Sequence, residues 1–145
     1  MPAEVYEDYI ALRCPMLIYE IHSKPTPEKQ TRFCMGRAYN PNKRTTQEII
    51  WQLSPMAPKE PLKGAIGMDL FFYLPIPKGT SKALRKDMIN GKVRPTTRPD
   101  FDNLAYLVTN AMKNLIYHDD AQVVRCLTEK YYSEMPKTVI RVWEM

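Results

Sequence analysis

The chain has 145 residues, a formal charge of +5 and an apolar fraction of 44%, enough to build one domain around a real core without structural metal or disulfides. No apolar run approaches the roughly 18 residues of a membrane span, and no basic-then-apolar leader is visible, so a cytoplasmic protein without membrane partners is the expectation. Cys14, Cys34 and Cys126 are too widely spaced for a zinc site or a disulfide framework, and His22 and His118 are too few to change that.

In chain order, residues 1–14 are acidic and loosely periodic, and read as a peripheral segment. Met16–His22 is rich in β-favouring side chains and reads as a first strand. The proline-rich, basic stretch 23–44 reads as a long irregular or hairpin-like segment, and a loop of that length in a small domain is expected to be functional. Thr45–Leu53 carries a capping-box pattern, Thr45 with Glu48, followed by the apolar stripe Ile49, Ile50 and Leu53, which predicts a helix. Leu62–Pro75 is apolar on both alternating sets and reads as a central strand covered on each side. A short helix follows, with Ser81 as its cap and Asn90-Gly91 as its stop. From Asn103, the side chains Leu104, Leu107, Val108, Ala111 and Leu115 share one face and predict the strongest helix, with Asn114 as a left-handed stop. Two strands, around 121–134 and 137–144, close the chain. The order predicts a single α+β domain with a mixed sheet packed against helices.

Charge is concentrated. Residues 24–44 carry a net +5 and residues 78–98 a net +6, leaving −6 for the remainder. Two basic segments in an otherwise acidic chain suit a polyanion, although solvated basic loops would give the same count. Immediately after the second segment come Asp100 and Asp102, and beyond the strong helix Asp119 and Asp120. If the chain is extended at 100–102, both carboxylates point into one space. If the 119–120 turn folds back to them, carboxylates about 4 Å apart would repel by roughly 4 kcal/mol per pair at an effective dielectric of 20 unless a cation lies between. Magnesium, a hard cation with oxygen ligands, resolves that conflict. The competing reading is structural: Asp100 or Asp102 caps the helix, and Asp119-Asp120 forms a surface turn.

The stretch RPDFDNLAYLVTNAMKNLIYHDDAQVV, residues 98–124, resembles the signature of the RusA-like Holliday junction resolvase family: a D-x-D-N-L segment, a helix and an acidic turn ending in Ala-Gln. GRAYNPNK, residues 36–43, is similar to the same family's G-R-x-Y-x-P segment. The resemblance spans most of residues 15–143 and implies a RusA-like endonuclease domain over 15–145. It further implies a homodimeric crossover junction endodeoxyribonuclease, often of phage or prophage origin, that needs Mg²⁺ (Mn²⁺ possible). Such an enzyme resolves four-way junctions in branched DNA by phosphodiester hydrolysis during recombination and repair. The implied metal ligands and catalytic acids are Asp100, Asp102 and Asp120, with Asp119 in support and Asn103 positioning the turn. Candidate phosphate contacts are Lys24, Lys29, Arg32, Arg37, Lys82, Arg85, Lys86, Arg94 and Arg98. One departure stands out: where family members commonly carry a lysine, four residues after the second motif aspartate, this chain has Tyr106. That keeps open a junction-binding module with weak or no catalysis, and leaves Lys113, a basic residue of 78–98 or one from the other subunit to supply the missing charge.

Overall fold

Leu17–Ile21 alternates exposed and buried side chains and forms strand β1, the first of four in a mixed sheet. The computed structural model describes residues 16–145, so the proposed peripheral segment 1–14 lies outside the described residues. A separate hairpin follows, β2 (Arg32–Cys34) and β3 (Arg37–Tyr39), then helix α1 (Lys43–Leu53) and strand β4 (Ile66–Pro75). Helices α2 (Lys82–Ile89) and α3 (Phe101–Met112) lead to strands β5 (Val123–Ser133) and β6 (Lys137–Glu144). The sheet order is β1-β6-β4-β5, with β4 and β5 parallel and the other pairs antiparallel. The predicted α+β class holds, and β4 is interior as its two apolar faces require.

The even-numbered side chains of β4, Ile66, Met68, Leu70 and Phe72, are buried in one core with the apolar stripe of α3, where Leu104, Leu107, Val108 and Ala111 are all inside. Burying each of these larger side chains contributes about 1.5–3 kcal/mol relative to exposure. Ile49 and Leu53 bring α1 onto the same core. The odd-numbered face of β4 is covered differently. Arg141 lies over the Phe71 ring at 5.1 Å, Tyr73 stacks on Tyr131 at 5.4 Å, and the Trp143 indole lies on Gly67. A Cβ on Gly67 would stand 2.5 Å from that indole, so the close approach requires glycine.

Two local expectations are corrected. The α1 helix starts at Lys43 with Asn42 at its cap position, so the Thr45–Glu48 capping box does not form, and Glu48 pairs with Arg44 instead. Asn42 makes no capping bond because its amide is used elsewhere: Oδ1 accepts from the Lys29 N–H and Nδ2 donates to the Lys29 carbonyl, both at 2.8 Å. The α3 helix starts at Phe101, so Asp102 sits in its first turn and not in an extended run. Ser81 caps α2 by accepting from the Leu84 N–H, and Asn114 has φ +63°, both as expected.

Candidate functional site

The chain reaches α3 through Pro99 and an extended Asp100 (φ −73°, ψ 145°), which occupies the N-cap position without making a side-chain cap bond. Asp102 accepts from the Asn103 N–H at 2.9 Å through one oxygen. Both acids therefore stand where the helix dipole favours negative charge, an effect of about 0.3–1 kcal/mol, and both are exposed. They line one open groove with Thr128 and Lys130 of β5. The Lys130 ammonium donates to the carbonyls of Thr97 and Pro99 at 2.9 and 2.8 Å, fixing the turn that delivers Asp100. Sequence reading missed Lys130. The available signal was strand alternation, which puts Thr128 and Lys130 on the same side of β5.

On its other side Asp100 borders a second groove, of about 620 Å³, shared with Lys24, Glu28, Arg98 and Asn103. Glu28 is bound to α3 twice: its N–H donates to the Asn103 carbonyl at 2.9 Å, and its carboxylate accepts from Asn110 at 3.3 Å. Burial raises the Glu28 carboxyl above its ordinary value, and the Asn110 bond only partly opposes this. Glu28 too escaped the sequence reading, since its neighbours lie 75 or more residues further along the chain.

The far end of α3 is built differently. Lys113, next after the helix, holds its ammonium 3.3 Å from Asp120 and 3.9 Å from Asp119. Asp119 caps the short 3₁₀ turn Asp120–Gln122 by accepting from the Ala121 N–H at 3.0 Å. That backbone bond, with a hydrogen bond to Asp120 and the Lys113 charge, holds the Asp119 carboxyl below its ordinary value. Gln122 clamps the turn with its whole amide: Oε1 accepts from His118 and Asp119 N–H groups, and Nε2 donates to the Leu62 and Gly64 carbonyls. The Asp-Asp-Ala-Gln turn thus has a structural account in which Asp119 and Gln122 do the folding and Asp120 is left facing a cation.

The four acids are not gathered at one point. Asp100 and Asp102 stand at the start of α3, and Asp119 and Asp120 face the Lys113 ammonium just beyond its end. Among the described residues, no three Asp, Glu, His or Cys side chains stand together as a metal cage. Asp100 with Asp102 and Asp119 with Asp120 are two local pairs, each with its own described neighbours.

The basic candidates divide similarly. Lys24 and Arg98 flank Asp100 in its groove, and Lys29 lies at the base of the β2–β3 hairpin that carries Arg32 and Arg37. Lys82 and Lys86 are exposed on α2. Arg85 pairs with Glu134 at 3.1 Å. Arg94 is committed to structure: its Nε donates to the Lys130 carbonyl at 2.7 Å, its guanidinium covers the Tyr131 ring at 3.9 Å, and Glu129 lies at 3.7 Å.

The mixed sheet packed against helices places the chain in the α+β class. Within that class the chain belongs to the RusA endodeoxyribonuclease family, whose model, described as Endodeoxyribonuclease RusA, matches residues 22–143. The chain is also similar to the uncharacterized protein YqaN of Bacillus subtilis (strain 168), with 37% identity over 101 residues that cover 68% of this chain and 71% of that protein. No helix among the described residues is long and apolar enough to cross a membrane.

Proposed function

We propose that the protein is a divalent-metal-dependent endodeoxyribonuclease that nicks four-way DNA junctions, working as a homodimer on two strands related by a two-fold axis. The observation that carries this reading is the paired acid at the start of α3: Asp100 and Asp102 open into one groove, and Lys24 and Arg98 line the second groove that Asp100 borders. This pair fits Mg²⁺, which is bound through one or two carboxylates and takes its other ligands from phosphate and water. Mn²⁺ is the alternative ion. When bound, the ion supplies Lewis acidity at the scissile phosphate and lowers the pKa of water.

The remaining roles belong to the chain's own groups. Lys24 and Arg98 draw the backbone phosphate to the groove, and Lys130 keeps the Thr97–Pro99 turn in place so that Asp100 is presented in a fixed direction. Asp120 is the third acid of the working site, and Lys113 holds it as an internal counter-cation until DNA is engaged. Lys113 also supplies the positive charge that Tyr106, exposed on the outer face of α3, does not.

A labelled synthetic four-way junction tests this directly. Nicking in Mg²⁺ or Mn²⁺ that stops in EDTA is expected, with little cutting of linear duplex of the same sequence. Nicking that survives EDTA, or equal cutting of duplex, would sink the proposal. Tyr106 favours a second reading, a junction-binding module without turnover, and tight metal-independent binding with no nicking would establish that reading instead.

A further inference from the structure

The β2–β3 hairpin departs from local physical preference at its tip. Its two turn residues, Met35 (φ +50°) and Gly36 (φ +76°), both have positive φ, the geometry of a two-residue turn that favours Asn-Gly. A methionine in the left-handed region is disfavoured, because its Cβ crowds the backbone carbonyl there. Met35 is also 99% exposed, and Phe33 beside it is 75% exposed. One residue thus carries backbone strain and a fully hydrated apolar side chain, and such breaches of local consistency mark functional positions.

The strand register separates the hairpin into two faces. Phe33 lies opposite Ala38, while Arg32 opposes Tyr39 and Cys34 opposes Arg37. Alternation therefore puts Phe33 and Ala38 on one face and Arg32 and Arg37 on the other. Neither arginine has an acidic partner among the described residues. The base of the hairpin is fixed by the Asn42–Lys29 pair, and Glu28, next to Lys29, is bonded to the carbonyl of Asn103 in the first turn of α3. An apolar tip with a basic face thus emerges beside Asp100 and Asp102.

Resting on the branched-DNA reading above, we infer that the hairpin Arg32–Tyr39 is a wedge for the open centre of a DNA junction. Phe33 and Met35 stack on base faces at the branch point, and Arg32 and Arg37 neutralise the flanking phosphates. Stacking on base faces is the strongest gain that such apolar side chains find on DNA, and a continuous duplex yields those faces only at the cost of unstacking, whereas a branch point exposes them.

The test uses the full chain with Phe33→Ala and Met35→Asn, separately and combined. Asparagine suits the turn better than methionine, so Met35→Asn removes the apolar tip while favouring the hairpin. Affinities for a four-way junction and for linear duplex are measured at one salt concentration, together with the fluorescence of 2-aminopurine at the branch point and the mass in solution by light scattering. The combined variant is expected to bind the junction about tenfold more weakly or worse. Its duplex affinity stays within about twofold, the fluorescence rise at the branch point is lost, and the mass is unchanged. Unchanged junction affinity and fluorescence would overturn the wedge. Equal weakening on junction and duplex would reduce the hairpin to a phosphate contact, and a halved mass would make it a subunit contact; either overturns the inference. If the unsubstituted protein fails to prefer junction over duplex, the branched-DNA reading itself falls, and this is visible before any substitution is made.

Discussion

The two ends of α3 carry the same chemistry in different settings. At its start, Asp100 and Asp102 are exposed and face open grooves, with Lys130 turned away from them toward backbone carbonyls. At its end, Asp119 is consumed by capping and Asp120 is held by Lys113, inside a turn that Gln122 ties to the approach to β4. The first pair is presented and the second is stored. The difference lies in which neighbour each carboxylate has, since the residue types are identical.

The comparison breaks most visibly in catalysis. Asp100→Asn is expected to lower junction nicking by about 100-fold or more while leaving junction binding intact or tighter, because removing negative charge beside phosphate does not weaken attraction. Asp120→Asn is expected to do the same, which would join the two ends into one working site. Loss confined to Asp100→Asn, read on the same junction substrate, would restrict the site to the start of the helix.

Stability gives the next largest effects. Gln122→Ala removes an amide that satisfies four backbone groups, so it is expected to cost about 1–3 kcal/mol in a urea melt. Lys130→Met keeps the stem but leaves the Thr97 and Pro99 carbonyls without their donor. It is expected to cost about 1–2 kcal/mol and to reduce nicking with little change in junction affinity, as a positioning role at the Asp100 turn requires. A Lys130→Met protein with full nicking would remove that role.

The smallest effects are in pH dependence, and the two ends have opposite signs. Asp119 has a lowered value in the fold, so its stabilising contribution is present above the ordinary aspartate value and is lost as pH falls through the lowered one. Glu28, beside the start of α3, has a raised value, so its contribution is complete below the ordinary glutamate value and is lost as pH rises through the raised one. Melting temperature against pH is expected to lose its acid limb in Asp119→Asn, whereas Glu28→Gln flattens the decline on the rising side. Parallel shifts in both variants would contradict the two environments described.

Much of this was legible beforehand where the signal is local. The apolar stripe of Leu104, Leu107, Val108 and Ala111 fixed the face of α3, and the two apolar sets of Leu62–Pro75 marked an interior strand. Ser81 and Asn114 announced their caps because capping depends on one residue and its immediate backbone. What stayed hidden depends on distant partners. Asn42 took the helix start from Thr45 by engaging Lys29, 13 residues away, and Lys130 reaches back to Thr97 across 33. The acids themselves were identified by spacing. The hold of Lys113 on Asp120 was not, because it joins the end of α3 to the turn before β5, which no spacing records.

The Asn42 clamp has a consequence for how this chain can change. Its two bonds to Lys29 bring the departing and returning strands together at the body of the domain, so the loop is closed before the hairpin begins. Closure cost grows only slowly with loop length, and the residues outward of the clamp, 30–40, are all exposed. The tip can therefore be lengthened, shortened or exchanged with little consequence for the core, which makes it the portable part of the molecule: a socket at Asn42 into which different tips fit.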